Sequence, residues 1–255
     1  MQLKDKTILI TGGTAGIGLE AVKQFLEAGS KVIVTGRNQT KLDEVTKKYP
    51  SVIAIQSDAS NPNDAIALYN EVKKLGGIDI LYNNAGVISE ADNLGNANPK
   101  HFEKAEAEIN INYLGVIRLN NIFMDMLKSR TEGAIINTSS LLSYLPSNLA
   151  PTYSASKAAV RFYTVALRDH LQITGSKLKV FELLPPLVAT KMADGMGGKA
   201  MTTDKLINAL IDGLKKNQYT IRVGDTKTIY FLNRFFPKLA YNLINSKASS
   251  KKLQS

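Results

Sequence analysis

The chain is expected to fold as an α/β protein, a doubly wound sheet of seven parallel strands with helices on both faces. Three observations predict this. Seven short runs rich in Ile, Val and Leu are apolar almost throughout, as strands covered on both faces are. Longer segments of helical periodicity separate them, and such alternation argues a parallel sheet. The 255 residues, 44% hydrophobic and 21% charged, suffice for one buried core without a disulfide or metal staple.

In order, the first strand is expected over 7–11 (TILIT) and a helix over 17–28. A strand at 31–35 (KVIVT) precedes a helix at 39–48. The third pair is 52–56 (VIAIQ) with 62–75. The fourth strand, 78–82 (IDILY), runs into a polar, turn-rich loop at 88–100. One long helix is expected over 99–129, then a strand at 133–138 (GAIINT) and a helix at 151–174. The sixth strand is 178–184 (LKVFELL). Residues 189–201 mix three glycines with three methionines, which suits a mobile loop with an adaptable apolar face. A helix at 202–216, a strand at 219–223 (YTIRV) and a helix at 228–246 complete the chain. With no internal repeat and no Pro/Ser linker, residues 1–225 are read as one domain and 226–255 as a C-terminal extension.

Several chemistries are excluded early. The absence of cysteine removes disulfides, thiolate-bound metals and a thiol nucleophile. The two histidines, His101 and His170, have no neighbours at metal-ligand spacing, so no metal is expected. No G-x-S-x-G elbow points to a serine hydrolase. The formal net charge is +10, but residues 226–255 hold Lys227, Arg234, Lys238, Lys247, Lys251 and Lys252 without one acid. The excess therefore belongs to the tail, and no nucleic-acid partner is expected. No apolar run reaches the ~18 residues of a membrane span, and the N-terminus lacks signal-peptide features, so a cytoplasmic location is expected.

The first strand ends in TGGTAGIG over 11–18, directly before a helix. Glycines at 12, 16 and 18 allow a tight turn and close approach to a pyrophosphate, which the free N–H groups of the helix start would hold. Gly12, Thr14, Gly16, Ile17 and Gly18 are thus candidate dinucleotide contacts, and the fold is Rossmann-like. A plain glycine turn is the other reading. At the end of the second strand, Gly36 and Arg37 stand where an acid would favour NAD. Arg37 offers a cation to a 2′-phosphate, or caps a surface turn; the first reading makes NADP(H) the expected cofactor and NAD the lesser one. Asp58, after the third strand, either accepts from an adenine amino group or caps the helix at 62. Asn84, Ala85 and Gly86 follow the fourth strand, and the small pair would let a ribose lie against the backbone.

Tyr153 and Lys157, at i and i+4 on one helix, face the same side. A nearby ammonium stabilises phenolate, so a lowered phenol pKa is expected and Tyr153 becomes a plausible acid–base at neutral pH. Chance Tyr/Lys pairs on solvated helices are common. Here, however, the fifth strand ends at Ser139-Ser140, and a Ser140 hydroxyl could meet the same carbonyl oxygen as Tyr153.

TGGTAGIG at 11–18, NNAG at 83–86, Ser140 thirteen residues before the tyrosine and YSASK at 153–157 together resemble the short-chain dehydrogenase/reductase family, in its single-domain type. The resemblance covers residues 4 to about 225. It implies that Tyr153 exchanges a proton with the substrate oxygen and that Lys157 lowers the phenol pKa and holds the nicotinamide ribose. It implies that Ser140 orients the carbonyl and that Asn112, in the fourth long helix, holds a water of a proton relay. The family's usual Pro-Gly is here Pro185-Pro186, a feature similar to a bacterial branch associated with D-alanylation operons. Pro185, Val188 and Thr190 are candidate contacts for the nicotinamide end. The implied activity is NADP(H)-linked interconversion of a carbonyl and a secondary alcohol. A non-catalytic dinucleotide sensor on the same fold is the alternative; a sugar epimerase of the extended type would need a larger C-terminal domain.

Leu141, Leu142, Tyr144, Leu145, Leu149, Met192 and Met196 make either an apolar substrate pocket or core. Leu114, Ile117, Leu119, Ile122 and Phe123 place apolar side chains around much of one helix, so a homodimer or homotetramer is expected. In the tail, Ile229, Leu232, Phe236, Leu239, Ala240 and Leu243 form a stripe expected to pack on the body, with contact to a membrane surface as the lesser reading. Pro237 is expected to kink or split that helix.

Overall fold

The computed structural model describes residues 1–89, 93–193 and 199–246. Seven strands form one parallel sheet: β1 Thr7–Thr11, β2 Lys31–Gly36, β3 Ile53–Gln56, β4 Ile80–Asn83, β5 Ala134–Thr138, β6 Lys179–Leu184 and β7 Thr220–Arg222. Their spatial order is β3-β2-β1-β4-β5-β6-β7. The order reverses between β1 and β4, and in such sheets ligands bind outside the carboxyl ends at that switch point.

Side chains of successive strand residues point to opposite faces, and each face has its own core. On one side Ile8 and Ile10 of β1 meet Ala21, Val22 and Phe25 of α1 (Gly16–Glu27), Leu42 and Val45 of α2 (Gln39–Lys48), and Leu206 and Leu210 of α7 (Thr203–Lys215). On the other, Leu9, Ile33, Leu81 and Ile135 meet Leu68 and Val72 of α3 (Pro62–Lys74) and Leu119, Phe123 and Leu127 of α5 (Gly115–Lys128). This is why the strands read as unbroken apolar runs.

The segment expected as one helix over 99–129 is three pieces. α4 (Pro99–Ile109) passes into a π-helical turn, Asn110–Leu114, and then into α5. Such wide turns cluster at functional sites because they re-aim side chains within a helix. α6 spans Pro151–Ile173.

Pro237 splits the tail into α8 (Asp225–Phe235) and α9 (Pro237–Ile244). The tail packs on the body, but not through the whole expected stripe. Ile229 and Ala240 are buried against Leu141 and Leu145, with Leu232 and Ile244 beside them. Phe236, Leu239 and Leu243 are exposed, along with Phe231 and Phe235. The proline restarts the helix on a new axis, so one period no longer defines one face. Polar anchors add to the packing: Asn233 Nδ2 donates to the Tyr144 carbonyl at 3.0 Å and Asn245 Nδ2 to the Pro146 carbonyl at 2.9 Å. Lys247, Lys251 and Lys252 lie outside the described residues. No helix among the described residues is long and apolar enough to cross a membrane.

Candidate active site

The glycine turn between β1 and α1 is shaped as a cradle. Gly12 has φ of +66°, a left-handed conformation that glycine adopts without strain. A Cβ there would lie 3.0 Å from the Ala85 Cα. A Cβ on Gly18 would collide with the Gly12 carbonyl oxygen and come within 2.7 Å of the Asn84 amide nitrogen. Gly18 thus lets the helix start seat on the strand, which leaves its N–H groups at the switch point. Asn84 braces this turn, donating from Nδ2 to the carbonyls of Thr11 (3.1 Å) and Gly12 (3.3 Å). Thr11 Oγ1 accepts from the backbone N–H groups of Asn84 and Ala85, both at 3.0 Å, so β1 and the loop after β4 are tied together.

At the end of β2, Arg37 is exposed, and its guanidinium has no protein partner among the described residues. Its carbonyl accepts from Gln56 Nε2 at 2.9 Å, which sets the backbone independently of the side chain. Gly36 is packed by Thr14, whose Cγ2 would lie 2.9 Å from an added Cβ. Thr14 and Arg37 therefore flank the same β-strand terminus. Asp58 does not cap the helix at 62, one of the two roles expected for it. That cap is Asn61, which accepts from the Asn63 N–H at 2.9 Å. Asp58 Oδ1 instead accepts from the backbone and hydroxyl of Ser60, at 2.8 and 2.7 Å.

The catalytic candidates converge at the carboxyl ends of β4 and β5. Ser140 follows β5, its Oγ accepting from the Leu142 N–H at 3.1 Å, and its hydroxyl lies close enough to the Tyr153 phenol to act on its ionisation. Lys157 is buried; its Nζ donates to the Thr138 carbonyl at 2.9 Å and lies 5.7 Å from the Tyr153 ring centroid. Asn112 sits in the π turn, fully buried. Its Oδ1 accepts from the Val87 N–H at 2.8 Å, and its Nδ2 donates to the Val87 carbonyl at 2.9 Å and Ser156 Oγ at 3.0 Å. Asn110, two residues earlier, makes none of these contacts. A Cβ on Gly86 would lie 3.2 Å from Asn112 Oδ1 and 3.5 Å from Lys157 Nζ, so a side chain here would crowd Asn112.

The phenol pKa is raised, not lowered as the spacing leads one to expect. Burial pushes Tyr153 up to about 12; the nearby Ser140 hydroxyl pulls it down, and the charge of Glu108 pushes it up. Burial likewise depresses the Lys157 ammonium to about 8. Both ionisations are opposed by desolvation, which acts on whichever form carries charge. The i,i+4 spacing brings the two groups together but does not itself overcome that cost.

After β6, the Pro185 carbonyl accepts from the Leu141 N–H at 2.9 Å, tying the segment to the loop that carries Ser140. Thr190 lies against the glycine turn, its Cγ2 3.0 Å from where a Gly16 Cβ would be. Val188 is buried and bridges to Met201. The expected apolar pocket divides. Leu141 and Leu145 are core beneath the tail, while Tyr144 accepts from Arg222 Nε at 2.7 Å and stacks near the Arg161 guanidinium. Leu149 lines a small cleft with Ser89, His101 and Glu108. Met192 is exposed, and Met196 lies outside the described residues.

Two features escaped the sequence reading. Glu108, buried on α4, accepts from the Ser89 N–H at 2.6 Å and from the Thr152 hydroxyl. Behind the site, Asn83 Nδ2 donates to Asn120 and Asn137 at 2.7 and 2.9 Å, and Asn137 donates to Thr164 Oγ1 at 3.0 Å. This buried network locks β4, β5, α5 and α6 together. A signal for Glu108 existed, since it stands one helical turn before Asn112.

A seven-stranded parallel sheet, a glycine cradle at its switch point and a Ser–Tyr–Lys cluster at the same strand ends define a dinucleotide-linked oxidoreductase site. Residues 6–199 match the family model described as short chain dehydrogenase, and the chain belongs to that family; it is an NAD(P)-dependent oxidoreductase. It is similar to the uncharacterized oxidoreductase DltE of Bacillus subtilis, 32% identical over 228 residues that cover 87% of this chain and 89% of that one. It is also similar to a 3alpha-hydroxysteroid dehydrogenase of Mediterraneibacter gnavus, 32% identical over 206 residues, 75% of this chain and 77% of that one. Among solved structures, a short chain dehydrogenase from Burkholderia cenocepacia in complex with NADP superposes with a TM-score of 0.84 at 25% identity, covering 96% of this chain and 99% of that one.

Proposed function

We propose that this oxidoreductase uses NADP(H) to interconvert a carbonyl and a secondary alcohol, with Tyr153 as the proton donor and acceptor. The observation that carries the reading is the placing of Lys157 Nζ 5.7 Å from the Tyr153 ring and bonded to the Thr138 carbonyl, at the strand ends that also carry Ser140 and the glycine cradle.

The residues present fit a dinucleotide. The cradle at Gly12, Gly16 and Gly18 would hold its pyrophosphate, with Thr14 and Ile17 in the same turn. Ala85 and Gly86 would lie along a ribose, Asn84 would hold their loop in place, and Asp58 would face the adenine end. Pro185, Val188 and Thr190 would border the nicotinamide end. Arg37 favours NADP(H), because an exposed guanidinium without a protein partner is available to a 2′-phosphate. Similar folds have been solved with NADP and with NAD, so the preference rests on Arg37. When bound, the cofactor supplies the hydride equivalent that reduces the carbonyl carbon.

The chain's own residues then do the acid–base work. The Ser140 and Tyr153 hydroxyls are neighbours, so both can meet one substrate oxygen. Tyr153, held protonated by burial, donates to that oxygen as charge develops on it. Lys157 stabilises the phenolate left behind, provided it is itself charged. Its ammonium is depressed to about 8, so it is charged at neutral pH and loses its proton as pH rises through that value. Asn112 fixes the loop of Gly86 and Val87 against α6. The substrate is expected to be small and largely apolar, bordered by Leu142, Leu149 and Met192.

We also propose a homodimer or homotetramer. Leu119 and Phe123 are spent in the core, but Leu114 on the π turn and Phe162 and Val165 on α6 remain exposed. Two exposed apolar helix faces suit a two-fold contact. Light scattering at micromolar concentration should give twice or four times the chain mass; a monomer would contradict this.

The functional reading is tested by NADPH depletion over a panel of ketones, aldehydes and keto-steroids, with the reverse assay on secondary alcohols. At least one carbonyl should be reduced, with a rate that falls above about pH 8 as Lys157 loses its charge. Binding of NADPH without turnover of any compound would instead favour a dinucleotide sensor.

A further inference from the structure

We propose that Glu108 is a positioning residue for Tyr153, its buried carboxylate holding the first turn of α6 against the loop after β4 through the residue that precedes the tyrosine. The proposal rests on the acid–base reading of Tyr153. It is carried by a repeat in the hydrogen bonding that the catalytic motifs do not account for.

The repeat is a ladder of two rungs. In one, Asn112 joins Val87 of the β4 loop to Ser156 of α6. In the other, Glu108 joins Ser89 to Thr152. The rung centres are one helical turn apart, as are Thr152 and Ser156. Val87 and Ser89 are two residues apart in an extended loop, so three elements present matching spacings to one another. Tyr153 and Lys157 each follow a rung residue by one position. Their height above the cradle is therefore set twice, once by each rung.

The rungs differ in charge. Asn112 is a neutral amide, whereas Glu108 is a carboxylate only 1% exposed. Bonds from an N–H and a hydroxyl to an ionised carboxylate are about twice as strong as neutral ones. The charge also acts on the phenol, since a carboxylate nearby disfavours phenolate. His101 and Lys104, also on α4, line the same cleft and are the other charged or titratable groups that border it with Glu108 among the described residues.

The test uses the NADPH-loaded enzyme and 3-fluorotyrosine placed at position 153, whose ¹⁹F resonance reports phenol ionisation without turnover. In Glu108→Gln, the charge is lost while the side chain keeps its size. The Tyr153 titration should move to lower pH, and kcat should fall about tenfold with the KM for NADPH little changed. Thr152→Val cuts the rung but leaves the charge, so it should lower kcat without that pKa shift, and Thr152→Ser should restore the rate. An unmoved ¹⁹F titration in folded Glu108→Gln overturns the proposal. So does a loss of thermal stability in Thr152→Val with kcat intact, which marks a structural bond only. Absence of turnover in the unmodified enzyme would sink the functional reading instead, and the ¹⁹F titration would still decide the role of Glu108.

Discussion

Tyr153→Phe is expected to cut turnover by a factor of about 10²–10⁴, the usual contribution of a positioned general acid. NADPH affinity should stay within a few-fold of the original. The ring keeps its packing on α6, and Lys157 keeps its bond to the Thr138 carbonyl, because that contact does not involve the phenol oxygen. Only the hydroxyl that meets Ser140 is removed. Steady-state rates combined with a fluorescence titration of NADPH separate the two quantities. Full activity in the purified variant would falsify the assignment of Tyr153, and a parallel loss of binding would show that the hydroxyl serves the cofactor more than the substrate.

Arg37→Ala should weaken NADPH far more than NADH. Loss of a charge-assisted contact to a phosphate costs roughly 1.5–3 kcal/mol, about ten- to a hundredfold in Kd. NADH has no 2′-phosphate to lose. The loop should survive the change, since Gln56 binds the Arg37 carbonyl and not its side chain. Dissociation constants for both cofactors, measured by calorimetry, check the prediction. Equal shifts for the two would mean that Arg37 shapes the turn and that the preference for NADP(H) has another source.

The parts of the fold that were legible before the structure are those fixed by local pattern. Strands buried on both faces are apolar at every position, so TILIT and KVIVT could be placed within a residue of β1 and β2. Gly12 and Gly18 stood out because a close backbone approach excludes every other residue type, and the added-Cβ clashes are of that kind. The four catalytic candidates could be named because their spacing matches a family. What the sequence did not reveal depends on tertiary surroundings. Nothing local distinguishes the π turn at Asn110–Leu114 from continuous helix. The tail's period identified an apolar stripe, but Pro237 turned Phe236, Leu239 and Leu243 outward while Ile229 and Ala240 stayed in. The spacing of Tyr153 and Lys157 said nothing of how deeply both are buried, and burial governs both pKa values. Glu108 carries no motif of its own, yet it is among the most buried charges of the described residues.

Whether this site reduces a carbonyl with NADPH through a proton from Tyr153 is decided by following NADPH absorbance and alcohol product together over the carbonyl panel, for the unmodified enzyme and Tyr153→Phe in parallel. One alcohol should form per NADPH consumed for at least one compound, with near-total loss of both signals in Tyr153→Phe. NADPH that binds but is not consumed with any compound, or equal consumption by the two proteins, would contradict it.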